Sequence, residues 1–250
     1  MSSAIIVIPC YNEAKRLASE KFIAFARAGH PQRFLFVNDG STDETLQVLM
    51  TLCESDPQRF LIHDLSQNRG KAEAVRQGAL RAFAAGPDYM GYWDADLATP
   101  LEAIPVFCEL LDSRPDLDMV FGARVRLLGR VIERNALRHY LGRAFATATS
   151  LALGLSIYDT QCGAKLLRAS PAITALFQQP FATRWLLDIE ILARFIQARR
   201  GTNLRPAEEA IYEFPLHKWH DIAGSKVKAW DFPKAFFELA VLYWRYLRPR

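Results

Sequence analysis

The sequence has no C-x-x-C pair: Cys10, Cys53, Cys108 and Cys162 stand far apart along the chain. That argues against a zinc frame or a disulfide scaffold and leaves four reduced thiols in a cytosolic chain. A run of about 18 apolar residues, the length a membrane-spanning helix requires, is also missing. The nearest stretch, AFATATSLALGLSIY at 144–158, is short and interrupted by hydroxyls. The opening AIIVIP at 4–9 is strand-length and runs into a loop, so it reads as a strand and not as a secretory leader. No G-x-G-x-x-G follows that strand, which argues against a nicotinamide dinucleotide site. No convincing Ser-His-Asp or Cys-His set is present, and His217 and His220 lack a third ligand for zinc. Large net charge is absent too, since 31 Lys and Arg against 27 Asp and Glu leave +4. Any attraction to an anionic partner must then come from where the charges sit.

What the sequence does have is alternation. Its 250 residues, half of them hydrophobic, suffice for one substantial core. Brief apolar runs at 4–9, 33–39, 59–64, 89–96 and 117–124 read as strands, rich in branched and aromatic residues. Between them, 13–28, 42–55, 70–85 and 100–113 carry helical spacing, with N-caps expected at Ser41, Thr42 and Thr99. Strand and helix repeated in this way predict an α/β fold, a mostly parallel sheet with helices on both faces. Ligands in such folds sit at the carboxyl ends of the strands. Asn12, Glu13, Asn38, Asp39, Asp94, Asp96 and Arg124 gather there, either as a site or as caps and turns. After residue 125 the alternation stops.

The segment YMGYWDADLATP at 89–100 carries two aspartates one residue apart after an apolar run. On a strand, Asp94 and Asp96 share a face. A hard divalent cation such as Mg²⁺ or Mn²⁺ takes oxygen ligands and is often held by one or two carboxylates together with substrate phosphates. A glycosidase pair needs its carboxylates about 5 Å or more apart across a sugar, which this spacing fits poorly. Standing alone, D-x-D also describes a solvated turn. NRGK at 68–71 similarly reads as a helix start or as a donor-binding loop, with Lys71 beside backbone N–H groups suited to an anion.

VIPCYNEAKRL (7–17), FVNDGSTDET (36–45), NRGKAEAVRQG (68–78) and YWDADLATP, in this order and spacing, resemble family 2 glycosyltransferases of the GT-A (Rossmann-like) fold. DTQCGAKLLR (159–168), RWLLDIEIL (184–192) and AGSKVK (223–228) narrow the resemblance to the dolichyl-phosphate β-glucosyltransferase branch of the polyprenyl-phosphate enzymes. The resemblance spans residues 4 to about 230. It implies that Pro9, Tyr11 and Glu13 line the nucleoside pocket and that Asp39 holds base or ribose. Lys71 would sit by the donor, and Asp94 and Asp96 would carry Mg²⁺ or Mn²⁺, with Asp96 catalytic. It further implies that Arg124, catalytic as well, binds the acceptor phosphate with Arg134, Ser225 and Lys226. Gln161 would shape the site wall, while Asp188 and Glu190 either border the sugar or diverge on a helix. Two departures stand out. Asn38 replaces the first Asp of the usual Asp-Asp-Gly-Ser, and Ala98 replaces a Gln common in mannosyl relatives, which favours a glucosyl donor.

Six arginines lie between 122 and 143, against the single acid Glu133. Arg130, Arg134 and Arg138 recur every four residues, and Leu137, Tyr140, Leu141, Ala144, Phe145 and Ala148 follow another face. That pattern suits a helix at a membrane surface or one packed on the core with a solvated side. No stacking platform accompanies it, so nucleic acid is not an expected partner. The aromatic and basic DFPKAFFELAVLYWRYLRPR at 231–250 suits an amphipathic interfacial helix, or equally core packing. The expected division is a catalytic domain at 1–230, with a nucleotide-sugar half at 1–125 and an acceptor half at 126–230, followed by the C-terminal helix at 231–250.

The implied reaction moves glucose from UDP-glucose to a polyprenyl or dolichyl phosphate with inversion, by a cytoplasmic enzyme peripheral at the inner membrane face. GDP-mannose, UDP-GlcNAc and UDP-glucuronate are alternative donors. A non-catalytic sugar-nucleotide-binding domain is the alternative from another class.

Overall fold

The structure is a computed structural model that describes residues 2–133, 136–220 and 231–248. The apolar runs of the first half form β1 (Ala4–Cys10), β2 (Arg33–Asp39), β3 (Phe60–Leu65), β4 (Tyr89–Trp93) and β5 (Met119–Ala123). Between them lie α1 (Ser19–Arg27), α2 (Thr45–Ser55), α3 (Lys71–Ala84) and α4 (Ala103–Ser113). The later half adds β6 (Val131–Glu133), α5 (Ala136–Leu153), β7 (Ala164–Arg168), α6 (Pro171–Gln178) and α7 (Leu187–Arg199). It ends with α8 (Ala207–Ala210), β8 (Ile211–Pro215), β9 (Lys218–His220) and α9 (Asp231–Leu242), which continues into a π-helical turn over Tyr243–Leu247.

Seven strands pair in the order β3-β2-β1-β4-β7-β5-β8, with β7 antiparallel to both its neighbours and the other pairs parallel. The five inner strands are buried on both faces, and their period of two divides the core. Ile5, Val7, Leu35 and Val37 face α3, α6 and α7. Ile6, Ile8, Phe34 and Phe36 face α1, α2 and α4. On that second side Phe22 meets Phe34 and Phe36 edge-on, with centroids 5.2 and 5.0 Å apart. Each fully buried side chain of this size contributes about 1.5–3 kcal/mol.

The expected caps are not formed. Helices α2 and α4 begin after Glu44 and Glu102, and neither has a side-chain cap bond. The hydroxyls serve longer-range contacts instead: Ser41 Oγ accepts the Asn12 N–H at 3.0 Å, and Thr99 is buried beside Cys162. The helical pattern at 13–28 becomes helix only from Ser19, because Arg16 and Leu17 N–H groups turn back to the Glu13 carbonyl. The arginine stripe is also divided. Arg130 precedes β6 and Arg138 belongs to α5, so they do not share a helix, and Arg134 lies outside the described residues. Helix α5 packs inward, where Phe145 meets Phe236 at 5.3 Å and Ala148 lies against the core. Among the described residues no helix is long and apolar enough to cross a membrane.

Candidate active site

Strands β1, β2 and β4 are neighbours and parallel, so the loops past their carboxyl ends meet. Asn12, at φ 51°, accepts the Thr42 N–H on its side-chain oxygen at 2.9 Å. The Glu13 N–H donates to Thr45 Oγ1 at 2.8 Å. These bonds fix the loop of Tyr11 and Glu13, just past Pro9 of β1, against the loop that follows Asp39. Glu13 is buried with its carboxylate 3.2 Å from Arg16 Nε, and a second Arg16 nitrogen lies 3.8 Å from Asp96 Oδ2. Arg16, not foreseen from the sequence, therefore links the first loop to the carboxylate turn.

Asp39 is held by the NRGK loop. Its oxygens accept the Arg69 and Gly70 N–H groups, both at 2.8 Å, and the Asn68 amide at 3.0 Å, and the residue is 2% exposed. Burial pushes its carboxyl above the usual range, despite those N–H groups and the nearby charge of Arg184. The Arg69 and Gly70 N–H groups of NRGK are thus held by the protein's own carboxylate, and α3 begins at Lys71, as the helix-start reading expects. Next to Asp39, the Asn38 amide donates to Asp64 on the neighbouring strand at 2.7 Å. An aspartate at 38 would face a second carboxylate there, which accounts for the departure from the family pattern.

The two central aspartates are brought together by a turn and not by a strand pleat. Strand β4 stops at Trp93, Asp94 N–H bonds to the Gly163 carbonyl at 2.9 Å, and Leu97 N–H closes on the Asp94 carbonyl with Leu97 at φ 54°. Lys71 Nζ reaches Asp94 Oδ1 at 2.5 Å. Desolvation opposes the Lys71 charge, but Asp94, Asp188 and Asp96 outweigh it and keep the ammonium protonated. Burial first, and then the Asp94 charge, raise the Asp96 carboxyl above its ordinary value. Gly163 makes this approach possible. A Cβ there would lie 1.8 Å from Asp94 Oδ2, so no side chain fits while Asp94 keeps its place. The sequence offered one cue to Gly163, a glycine just before a strand in DTQCGAK.

Beneath the turn, Lys165 is 0% exposed and bonds to Asp188 Oδ1 at 2.8 Å, and Tyr92 donates to the same oxygen at 2.6 Å. Asp188 is thus buried beneath the site, within electrostatic reach of Lys71. Glu190 is not sugar-proximal. Both residues are on α7, and Glu190 is fully buried against Arg194, the Tyr246 hydroxyl and the N–H groups of Ala182 and Thr183. Arg124 is likewise engaged: its Nε and one terminal nitrogen meet both Asp159 oxygens at 2.6 and 2.7 Å, and its guanidinium lies 5.2 Å from the centre of the Trp219 ring. Asp159 thus holds the guanidinium in one orientation. Gln161 sits beside this pair, its N–H on Asp159 at 3.2 Å. Burial pushes the Cys162 thiol up to about 11, consistent with a packed, unreactive thiol. Ser225 and Lys226 lie outside the described residues.

The donor set fits a hard divalent cation. Asp94 and Asp96 offer oxygens from one turn, and the burden of two adjacent carboxylates, visible in the raised Asp96, is what a cation relieves. Among the described residues no group of three or more His, Cys, Asp or Glu is placed to hold an ion, so phosphate oxygens of a substrate would complete its shell.

A mostly parallel seven-stranded sheet with this carboxylate turn at the carboxyl end of its middle strand defines the GT-A glycosyltransferase fold. The same fold occurs in glucosyl-3-phosphoglycerate synthase of Mycobacterium tuberculosis, solved with Mn²⁺, UDP-glucose and phosphoglyceric acid. It superimposes with a TM-score of 0.67 at 15% identity, over 96% of this chain and 78% of that one. The chain belongs to glycosyl transferase family 2, whose profile matches residues 5–174. Dolichyl-phosphate beta-glucosyltransferase of Saccharomyces cerevisiae is 32% identical over 97% of this chain and 74% of its own length. The Homo sapiens enzyme of the same name is 30% identical over 97% and 75%.

Proposed function

We propose that the chain transfers glucose from UDP-glucose to a polyprenyl or dolichyl phosphate, giving the β-linked lipid-phospho-sugar. The observation that carries this reading is the carboxylate turn, Asp94 and Asp96 with Lys71, set where the β1 and β2 loops meet it. The names of the relatives supply the acceptor and the sugar.

A phosphate acceptor is already an anionic nucleophile at neutral pH, so the reaction requires no general base. An acceptor oxygen forms the bond to the anomeric carbon while the bond to the diphosphate breaks, and the diphosphate departs with the electron pair. Mg²⁺ or Mn²⁺ held by Asp94 and Asp96 would stabilise that leaving group as a Lewis acid. Lys71 adds a fixed positive charge beside it, and Arg16 holds Asp96 in register with the nucleoside-lining Pro9 of β1 and the loop of Tyr11 and Glu13. In this reading residues 1–125 bind the nucleotide sugar and 126–230 face the acceptor. The enzyme works at the cytoplasmic face of the membrane that holds its acceptor. The outward side of α9 and its π-helical turn, where Phe237 and Trp244 are 70% and 63% exposed, lies in the interface.

Purified protein given a polyprenyl phosphate, Mg²⁺ or Mn²⁺ and a panel of UDP- and GDP-sugars should form a lipid-phospho-hexose from UDP-glucose, detected by mass spectrometry. Product from GDP-mannose, UDP-GlcNAc or UDP-glucuronate alone would move the sugar. Asp96→Asn should abolish transfer and leave the melting temperature within a few degrees. Near-normal turnover by that variant would remove the metal role.

A further inference from the structure

Arg124 is paired with Asp159, and for the acceptor phosphate the structure assigns a further partner, Arg184. This inference rests on the acceptor class proposed above. Arg184 lies on the segment between α6 and α7. The turn before it is held by buried Glu190, which accepts the N–H groups of Ala182 at 2.9 Å and Thr183 at 3.1 Å. Leu186 and Leu187 anchor the chain after it in the core. The backbone is therefore fixed on both sides while the Arg184 side chain remains exposed.

Its guanidinium lies over Gly70, the residue before Lys71. A Cβ on Gly70 would stand 3.2 Å from Arg184 Nε and 3.5 Å from one terminal nitrogen. The charge also reaches Asp39, which it favours in the ionised form. Arg184 thus stands over the start of α3, one residue before Lys71 and within electrostatic reach of Asp39. Arg16, Lys71 and Arg124 each face a carboxylate, whereas no carboxylate or carbonyl among the described residues accepts a hydrogen bond from Arg184. An exposed planar fork on a fixed backbone, over the loop that leads into Lys71, is suited to a phosphate monoester.

The surface next to it suits the rest of such a ligand. Trp185 is 40% exposed, and Lys234 of α9 lies 5.8 Å from its ring centre. From there α9 and its π-helical turn present Phe237, Val241 and Trp244 outward, flanked by exposed Arg245 and Arg248. The acceptor class is therefore a phosphate monoester on a long hydrocarbon. Its head lies on Arg184, and its chain passes over Trp185 toward α9.

The test uses the full chain with two acceptors, a long polyprenyl phosphate in detergent and the short, soluble citronellyl phosphate. Arg184→Ala should raise KM for both acceptors about tenfold or more, as loss of a charge-assisted hydrogen bond implies, and leave UDP affinity within about twofold. Arg184→Lys should restore part of the loss. Trp185→Ala should raise KM for the long acceptor only. An unchanged acceptor KM in Arg184→Ala, or a rise confined to UDP-glucose, would overturn the assignment, the latter placing the arginine on the donor diphosphate. Citronellyl phosphate binding, measured calorimetrically without donor, separates the two proposals. Wild type that transfers no sugar would defeat the proposed reaction, while loss or retention of binding in Arg184→Ala would still decide the role of the arginine.

Discussion

Gly163 shows how a residue with no side chain can govern a catalytic one. The atoms a methyl group would meet there belong to the Asp94 carboxylate, the movable end of a side chain, so Gly163→Ala is accommodated by displacing that carboxylate. The fold should survive, with a melting temperature within a few degrees of wild type. Turnover should fall about a hundredfold, the scale at which a misplacement of about 1 Å acts. Rate measurements beside a thermal melt check this, and a large loss of stability with a near-normal rate would contradict it. Asn38 makes the complementary point. Its amide is matched to Asp64, a partner that the local sequence around residue 38 does not contain.

Among the elements, α6 is held by arginines at its carboxyl-terminal end. Arg76 of α3 donates to the carbonyls of Phe177 and Gln178, and Arg194 of α7 to those of Leu176, Gln179 and Pro180. Cations at a helix C-terminus satisfy its open carbonyls and complement its dipole. Arg76 is in turn oriented by Glu73, at 2.7 Å on two bonds. Hydrogen bonding from Arg76 holds the Glu73 carboxyl below its ordinary 4.5. The folded chain then binds fewer protons than the unfolded one in that range. The stabilisation is complete above about pH 5 and lost as pH falls through the lowered folded value. Glu73→Gln should cost about 1–2 kcal/mol at pH 7, and urea titrations of variant and wild type should converge as pH falls through the lowered folded value of Glu73.

For the molecule as a whole, the C-terminal segment joins the interior to an apolar exterior. Leu239, Leu242 and Leu247 are buried in the core, and the Tyr246 hydroxyl reaches buried Glu190 at 2.9 Å, while Phe237 and Trp244 face outward. The double change Phe237→Ser and Trp244→Ser leaves the inward contacts intact. It should lower partitioning onto anionic phospholipid vesicles about tenfold or more, measured by co-sedimentation, and binding by wild type should weaken with salt because Lys234, Arg245 and Arg248 flank the patch. Equal sedimentation of both proteins would exclude this face as the contact.

The sequence by itself determined the strand and helix alternation, the first five strands to within a few residues, and the cluster of Asp39, Asp94 and Asp96 at one edge. Period-two burial and the carboxyl-end rule are local or topological properties, visible in a single chain. Its motifs also indicated the family. Only the tertiary structure decided what the charged groups face. Arg124 is oriented by Asp159, 35 residues on, and the choice left open for Glu190 falls to the helix interior, where Arg194 and Tyr246 enclose it. Ser41 and Thr99 looked like caps until distant partners took them, and Arg184 gained meaning only by lying over Gly70. The reason is physical. Burial and ion pairing depend on which distant segments the fold brings within a few ångströms, and one charged side chain can serve a partner inside the protein or a ligand outside it.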